Sequence, residues 1–210
     1  MTELEIKIIL VKHIMEEHQE YTLGAEVPFQ FGERRADIAL LESGYLSAFE
    51  IKGSSDNVKR LGYQTESYKK FFDYCFIVCE KENLNEVRKS IPREFGIMLA
   101  ENKKIIKVRK SKHFKMHDKL SLASTLSATK LRKLNSNNKS KSKSELCENL
   151  AKGKKVGEIR NISRMDFEEK YGVVSRILRQ ETTSTINADD IYTITKTPPS
   201  TLIKKTLTRS

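Results

Sequence analysis

The alternation of apolar and polar residues over residues 34–52 predicts two short strands joined by a tight turn. The turn falls at residues 42–44, where Glu-Ser-Gly has the composition of a short hairpin loop. Asp37 lies in the first strand, and Glu50 and Lys52 lie two residues apart in the second. Because successive strand side chains point to opposite faces, Glu50 and Lys52 share one face of the hairpin. The pattern therefore predicts a small patch with two carboxylates and one ammonium.

Helical and strand patterns continue on both sides of this hairpin. Thr2 and Glu5 fit a capping box that opens a helix ending at about Glu17. A continuous apolar run at Tyr74–Cys79 is typical of a strand that is buried on both faces. The inner stripe of the first helix is predicted to be Leu4, Ile8, Val11 and Met15. The other predicted elements are a strand over residues 21–30, a helix from an N-cap at Asp56 to about Phe72, a helix over Leu84–Ile91, and strands over Phe95–Ala100 and Lys104–Arg109. Strands that alternate with helices indicate a layered α/β fold.

The second half of the chain carries short leucine-containing helical patterns separated by polar segments. Residues 156–179 are expected to add one or two helices, and disorder is expected from Thr182 on, where Thr, Ser, Pro and Lys dominate. The preceding elements are predicted to be a short helix with Leu120, Leu122 and Leu126, a helix at Ala128–Leu134, a loop at Asn135–Lys143, and a helix at Glu145–Ala151 with Ser144 as its N-cap.

The excess positive charge of the chain is confined to its second half. The 210 residues carry a formal net charge of +11. Residues 1–110 contain 18 Lys/Arg and 18 Asp/Glu, whereas residues 111–210 contain 21 Lys/Arg and 10 Asp/Glu. A basic half favours a polyanionic partner, most often nucleic acid, and the alternative is a solvated tail whose lysines only maintain solubility. The densest basic cluster, and the expected contact surface, is Lys130, Arg132, Lys133, Lys139, Lys141 and Lys143.

The cysteines and the hydropathy pattern bear on the location of the protein. Cys75 and Cys79 lie in the apolar run and form no disulfide framework with Cys147, which favours buried thiols in a reducing compartment. No apolar run approaches the length of a membrane helix, and the N-terminus lacks a signal-peptide pattern. The sequence therefore predicts a cytoplasmic protein without a membrane partner.

The carboxylates of the hairpin patch suggest metal-assisted chemistry on phosphate. Hard divalent cations such as Mg²⁺ take carboxylate oxygens, water and substrate phosphate as ligands. A cation held by Asp37 and Glu50 would polarise a phosphate and lower the pKa of a bound water, and Lys52 would position that water or neutralise charge on the phosphate. The alternative is an amphipathic surface hairpin whose charged side chains form a cross-strand pair. The apolar surroundings favour the first interpretation, because buried carboxylates are costly unless they are paired or bound to metal.

Asp37, twelve intervening residues and then Glu50-Ile51-Lys52 resemble the PD-(D/E)XK nuclease superfamily. Ala36 stands where the superfamily usually has a proline. The resemblance covers about the first half of the chain. It implies a restriction-endonuclease-like α/β fold, with a mixed central sheet flanked by helices. It also implies that Asp37, Glu50 and Ile51 hold Mg²⁺ or Mn²⁺.

The helix after the hairpin extends this resemblance. Gln64 and Tyr68 stand four residues apart, and many relatives direct such a pair at the active site. The alternative is that Tyr68 packs in the core and Gln64 is merely exposed. Glu5 is interpreted as a capping residue, although in some relatives an acid near this position lies by the metal. The resemblance implies the catalytic set Asp37, Glu50, Lys52, Gln64 and Tyr68.

The basic half resembles a helix–loop–helix DNA-binding module of the SAP or helix-extended-loop-helix kind. This resemblance depends on Thr129–Leu134, the basic loop after it and Ser144-Glu145-Leu146. The whole layout resembles a group of uncharacterised bacterial and phage proteins with a nuclease-like core and a basic C-terminal extension. The expected organisation is a nuclease-like core at residues 1–112, a basic helical region at residues 118–180 and a disordered tail at residues 181–210.

Two classes of function follow from these patterns. The main hypothesis is a Mg²⁺-dependent phosphodiesterase, a nuclease whose core cuts nucleic acid, preferentially DNA, while the basic half holds it. The alternative is a non-catalytic nucleic-acid-binding protein that keeps the fold for its shape, or a subunit of a restriction, repair or defence complex. The intact set of Asp37, Glu50 and Lys52 favours the nuclease. The sequence does not decide between DNA and RNA, or between a monomer, a homodimer and a larger complex.

Overall fold

A computed structural model describes residues 1–54, 56, 58, 61–135, 142–181 and 185–195, except for the side chains of Tyr63 and Glu181. The described residues form a mixed sheet of six strands whose order in space follows the chain. The strands are β1 (Thr22–Phe29), β2 (Arg34–Glu42), β3 (Tyr45–Lys52), β4 (Tyr74–Cys79), β5 (Gly96–Glu101) and β6 (Lys104–Arg109). The pairs β1–β2, β2–β3 and β5–β6 are antiparallel, whereas β3–β4 and β4–β5 are parallel.

Helices cover both faces of this sheet, so the predicted mixed α/β fold is confirmed. They are α1 (Glu3–Glu17), α2 (Leu61–Lys69), α3 (Leu84–Ser90), α4 (Lys119–Ser124), α5 (Ala128–Leu134), α6 (Lys143–Gly153), α7 (Val156–Glu181) and α8 (Ala188–Thr195). Apolar side chains of α1 and α8 fill one layer of the core, and those of α2–α6 and most of α7 fill the other. Within the described ranges, no helix combines the length and the apolar character that crossing a membrane requires.

α1 begins with the capping box that the sequence predicts. The Thr2 hydroxyl accepts a hydrogen bond from the Glu5 N–H at 3.2 Å, and a Glu5 carboxylate oxygen accepts one from the Thr2 N–H at 2.7 Å. Glu5 is therefore a capping residue. The predicted stripe is wrong in part, because the residues that face the sheet most fully are Ile6, Lys7, Leu10, Val11 and Ile14. Leu4, Ile8 and Met15 pack around them and are partly buried.

α7 lies along the edge strand β1 and covers this edge of the sheet. The Leu23 N–H donates a hydrogen bond to Ser175 Oγ at 3.0 Å. Gly24 permits the close approach, because a Cβ there would lie 2.8 Å from Cδ1 of Tyr171. An exposed sheet edge invites pairing with other chains, and a covering helix prevents this. The basic second half thus shares the core of the first half.

The expected disorder from Thr182 onward is wrong for part of this segment. Residues 188–195 form α8, which packs against β1, α1 and α7. Ile191 and Ile194 are buried three residues apart on its inner side. The Asn187 side-chain oxygen accepts hydrogen bonds from the first N–H groups of the helix, which caps it. The rest of the predicted tail, residues 182–184 and 196–210, lies outside the described residues.

The start of α6 also differs from the prediction. The helix begins at Lys143, and its N-cap is Ser142, whose hydroxyl accepts a hydrogen bond from the Glu145 N–H at 3.2 Å. Ser144 lies inside the first turn instead. A run of alternating Ser and Lys offers several equivalent caps, so the pattern does not distinguish Ser142 from Ser144. Residues 136–141 of the predicted basic loop lie outside the described residues.

Candidate active site

The hairpin brings Asp37 and Glu50 onto neighbouring strands. β2 and β3 are antiparallel, and Ile38 on β2 lies opposite Phe49 on β3. The same register places the next residues toward the open end of the hairpin, Asp37 and Glu50, opposite each other. Asp37 Oδ2 accepts a hydrogen bond from the Ile51 N–H at 2.6 Å. Ile51 therefore joins the site through its main chain, while its side chain lies in the core layer beneath α1.

Glu50 is the buried centre of the site, with only 5% of its surface exposed. Lys52 Nζ donates a hydrogen bond to Oε1 of Glu50 at 2.9 Å, and the Tyr68 hydroxyl donates to Oε2. The Tyr68 oxygen also lies 3.0 Å from the carbonyl oxygen of Arg35. Both oxygens of the buried carboxylate thus have a donor, as a charge removed from water requires.

α2 positions Tyr68 and places Gln64 one turn before it. Because residues four apart lie on one side of a helix, Gln64 and Tyr68 share a side of α2. Gln64 is half-buried. Tyr68 packs in the core and also contacts the site, because its ring lies against Phe29 and Phe72 with centroids 5.0 and 5.5 Å apart while its hydroxyl binds Glu50. Lys52 and Tyr68 are therefore both linked to Glu50 by direct hydrogen bonds.

The crowding of buried charges shifts several pKa values. Burial, and then the neighbouring Glu50 carboxylate, raise the pKa of Asp37 well above its usual value. Burial lowers the pKa of Lys52, but the Glu50 and Asp37 carboxylates outweigh this effect, so the pKa of Lys52 is raised. Burial and the same two carboxylates raise the pKa of Tyr68 well above its usual value. At neutral pH Lys52 is therefore a cation and Tyr68 keeps its proton, whereas Asp37 is protonated more readily than an ordinary aspartate.

Glu3 and Glu26 stand beside Asp37, although no sequence pattern singles them out. One carboxylate oxygen from each of these three residues lies within 4.8 Å of the other two. The Lys7 ammonium lies 2.6 Å from Glu3 Oε1 and also binds Glu26. Carboxylate oxygens gathered in this way are ligands that hard cations prefer. Glu3 and Glu26 therefore add to Asp37 as residues that could hold a metal.

The backbone of β1 is distorted at Glu26. This residue has a φ of 51°, which is unfavourable for a residue with a Cβ. Its neighbours Ala25 and Val27 pair with β2, and the same register places Glu26 opposite Asp37. Left-handed backbone at a non-glycine residue is frequent at functional sites, where surrounding structure holds it. The distortion thus falls at the residue that faces the predicted metal-binding aspartate.

The predicted basic surface is only partly available to a ligand. Lys130 Nζ lies 2.6 Å from Glu169 Oε2 and 3.2 Å from Asp166 Oδ1, so its charge is largely neutralised within the chain. The exposed members of the cluster among the described residues are Arg132 and Lys133 on α5 and Lys143 at the start of α6. Lys139 and Lys141 lie outside the described residues.

A second buried carboxylate ties the first half of the chain to α7. Asp73 is fully buried and accepts hydrogen bonds from the Leu46 N–H at 2.8 Å, Arg160 Nε at 2.8 Å and Arg164 Nε at 3.2 Å. Burial raises the pKa of Asp73, but the two arginines outweigh it and the pKa is lowered. The arginines also line a cleft of about 890 Å³ between α7 and the β2–β3 turn. The turn is at the opposite end of the hairpin from Asp37, so this cleft is separate from the site.

The fold and the site define a mixed α/β protein with buried carboxylates, a lysine and a tyrosine at one end of its central hairpin. The family model for Bacteriophage P4 protein cII matches residues 1–195, and the chain belongs to this family. Protein cII of Enterobacteria phage P4 is 33% identical over 100 residues, which are 47% of this chain and 38% of that protein. The chain thus aligns with well under half of the length of this relative.

A comparison with solved structures gives a protein of unknown function from Silicibacter pomeroyi. Its TM-score is 0.45 and its sequence identity is 16%, over 82% of this chain and 97% of that chain.

Proposed function

We propose that the chain is a metal-dependent nuclease that hydrolyses phosphodiester bonds, with DNA as the preferred substrate. The observation that carries this proposal is the convergence of Asp37, Glu3 and Glu26 within 4.8 Å of one another, next to the Glu50–Lys52 ion pair. The resemblance of the hairpin to the PD-(D/E)XK motif supports the same chemistry. The acids lie on α1, β1, β2 and β3, so several rigid elements fix their positions.

The donor set fits Mg²⁺ or Mn²⁺, because it consists of carboxylate oxygens. Asp37, Glu3 and Glu26 would hold the cation, with Glu50 and the main chain of Ile51 as the further ligands that the motif implies. The bound cation would polarise the phosphate and lower the pKa of a water molecule. The raised pKa of Asp37 supports this fit, because a divalent cation relieves the repulsion between buried carboxylates.

Lys52 and Tyr68 supply the remaining chemistry of the proposed site. The Lys52 ammonium remains protonated beside Glu50 and can neutralise the charge that develops on a phosphate in the transition state. The Tyr68 hydroxyl, whose pKa is raised, acts as a donor that holds Glu50 in one orientation. Lys7 provides the counter-charge of Glu3 and Glu26 when no cation is bound.

A basic second half would keep the substrate on the protein through phosphate contacts, which position nucleic acid without reading its sequence. The same proposal assigns the protein to the cytoplasm. The buried free thiols of Cys75, Cys79 and Cys147 support a reducing compartment.

A non-catalytic nucleic-acid-binding protein is the second candidate, and one observation favours it. Glu3 and Glu26 are bound to Lys7, and Glu50 is bound to Lys52. The chain's own ammonium groups therefore neutralise part of the negative charge of the cluster. In such a protein the same residues would stabilise the end of the hairpin and do no chemistry.

Cleavage assays on the full chain separate the two candidates. The parent, Asp37→Asn and a control, Asp189→Asn on the exposed surface of α8, are each incubated with plasmid and with labelled single-stranded DNA in Mg²⁺, Mn²⁺ or EDTA. A nuclease cuts only with a divalent cation, the Asp37 variant loses cleavage and the control keeps it. A folded parent that binds DNA but does not cut with either cation would support the non-catalytic candidate.

A further inference from the structure

A small aromatic cavity lies between the β1–β2 turn and α7. Its volume is about 220 Å³, the space of roughly seven water molecules at about 30 Å³ each. The residues that give it its character are Phe29, Phe31, Phe71, Ser163, Phe167 and Lys143. Flat aromatic walls and a few polar groups are typical of a site for a small planar ligand.

Phe31 forms the outer wall of this cavity in an unusual backbone conformation. Gln30, Phe31 and Gly32 have successive positive φ values of 49°, 59° and 88°. Left-handed backbone is rare for a bulky residue and is retained where the surroundings hold it. The turn presents the Phe31 ring to solvent with 44% of its surface exposed. An aromatic side chain held outward at the mouth of a cavity can stack on a flat ligand.

Ser163 provides a polar group inside the cavity. It is 2% exposed, and its hydroxyl has no hydrogen-bond partner among the described residues. A helical serine commonly bonds the carbonyl group one turn earlier, and a buried hydroxyl without a partner is destabilising. The hydroxyl can both donate and accept, so it can bind a polar edge of a ligand.

The lining of the cavity contains two ammonium groups, those of Lys143 and Lys170, and the carboxylate of Asp166. Asp166 is bound by Lys170 at 2.7 Å and by Lys130 at 3.2 Å, which neutralises it. Lys143 is the exposed ammonium of this lining, and although burial against the cavity lowers its pKa, the Asp166 carboxylate opposes that shift. The cavity mouth therefore favours an anionic group such as a phosphate.

A single layer of aromatic rings separates the cavity from the candidate active site. The Phe29 ring, which lines the cavity, contacts the Tyr68 ring at a centroid distance of 5.0 Å. It also stacks on Phe71, another lining residue, at 5.8 Å. Tyr68 in turn binds Glu50 through its hydroxyl. A ligand in the cavity would thus be close to the residues proposed to cut.

We infer that this cavity binds an unpaired nucleobase of the substrate, an inference that rests on the proposed function as a nuclease. The base stacks on Phe31, the Ser163 hydroxyl bonds its polar edge, and Lys143 contacts a neighbouring phosphate. A base in a duplex is hydrogen-bonded to its partner base and stacked between its neighbours, so it cannot enter the cavity. The chain should therefore prefer nucleic acid with an unpaired base near the cleavage position.

The test measures binding of the full chain in EDTA, so that cleavage plays no part. The probes are a fluorescent DNA duplex with one bulged thymine and the same duplex fully paired. The parent should bind the bulged duplex more tightly by about tenfold or more, the size usual for a base stacked on an aromatic side chain. Phe31→Ala and Ser163→Ala should reduce or abolish this preference and leave binding of the paired duplex unchanged. The matched control is Tyr192→Ala on α8, where the ring is 55% exposed and lines none of the cavities described above.

The outcomes separate this inference from the proposed function. Equal affinity of the parent for both duplexes, or a preference that Phe31→Ala retains, overturns the base-binding cavity even if the chain cuts DNA in Mg²⁺. A preference that depends on Phe31 in a chain that does not cut supports the cavity and contradicts the nuclease. A thermal unfolding scan of each variant verifies the fold, and 2-aminopurine at the bulged position gives a second readout. Its fluorescence should change on binding to the parent and not to Phe31→Ala.

Discussion

The hydroxyl of Tyr68 donates a hydrogen bond to Oε2 of Glu50, a carboxylate that is almost completely buried. The other oxygen of Glu50 accepts from Lys52 at 2.9 Å. The orientation of the carboxylate therefore depends on one neutral donor from α2 and one cation from its own strand. Loss of either donor would leave a buried oxygen without a partner, which is more costly than the bond itself is stabilising.

Tyr68→Phe should lower the free energy of unfolding by about 1–3 kcal/mol, because it keeps the ring packing and removes the donor to a buried carboxylate. Urea denaturation measures the change. Tyr45→Phe is the matched control, because this ring is exposed, and its effect should stay within about 0.5 kcal/mol. Equal effects of the two substitutions would show that the Tyr68 hydroxyl does not stabilise Glu50.

Asp37→Asn should stabilise the metal-free protein in a pH-dependent way. The folded state raises the pKa of Asp37, so its protonated form favours folding, and this contribution is lost as the pH rises through the raised pKa. The substitution should therefore raise Tm in EDTA near about pH 8, and the gain should shrink toward about pH 4, where the parent is also protonated. A gain that is equal at both pH values would contradict the raised pKa of Asp37.

The sheet and the hairpin were predictable because their signals are local. The buried run at Tyr74–Cys79 and the alternation over residues 34–52 each have few alternative interpretations, and both became strands. The buried face of α1 was harder to predict than the helix itself. Apolar residues occupy most positions from Ile6 to Met15, so more than one face has a helical period, and packing on the sheet selected the one with Leu10 and Ile14.

The additional acids and α8 were not predictable for a different reason. Glu3 looks like an ordinary acid in the first turn of a helix, where the dipole favours it. Glu26 becomes a neighbour of Asp37 through the pairing of β1 with β2 and through a positive φ, neither of which composition reveals. In α8 only Ile191 and Ile194 are fully buried. Polar residues surround them in the sequence, so the apolar pattern that predicts a packed helix is weak.

Glu3→Gln and Glu26→Gln should each weaken the stabilisation of the protein by Mg²⁺. A ligand that binds only the folded state raises Tm as its concentration exceeds its dissociation constant, and each substitution replaces a carboxylate with a weaker neutral ligand. Glu16→Gln is the control, because Glu16 is an exposed acid at the other end of α1. A Mg²⁺-dependent rise in Tm that is equal in all three variants and in the parent would place the cation elsewhere.

Lys52→Ala should reduce turnover far more than binding. One phosphate interaction among many is a small part of the affinity, whereas removal of a group that stabilises the transition state costs about 10²–10³-fold in rate. Lys52→Arg should restore cleavage only in part, because a planar guanidinium does not replace a compact ammonium. Binding is measured in EDTA and single-turnover cleavage in Mg²⁺. Equal losses in the two measurements would show that Lys52 only anchors the substrate.

The uneven distribution of charge along the chain predicts how the affinity for nucleic acid depends on the salt concentration. Each phosphate that a cation neutralises releases counterions, and the slope of log K against log salt becomes steeper by about 0.9 for duplex DNA. Substitution of Lys130, Arg132, Lys133, Lys139, Lys141 and Lys143 by Gln should flatten this slope by about that amount for each phosphate that the variant no longer neutralises. Lys130→Gln alone should leave the slope unchanged, because Glu169 and Asp166 already bind its ammonium.

The control for this experiment removes the same charge from the neutral half of the chain. It replaces six exposed lysines with Gln, namely Lys12, Lys81, Lys89, Lys103, Lys104 and Lys107. Both six-fold variants have the same net charge, so a difference between them reports the position of the nucleic-acid surface and not the overall field. Salt titration of duplex binding should give a flatter slope only for the variant in residues 130–143. Equal slopes for the two variants would place the nucleic-acid surface away from residues 130–143.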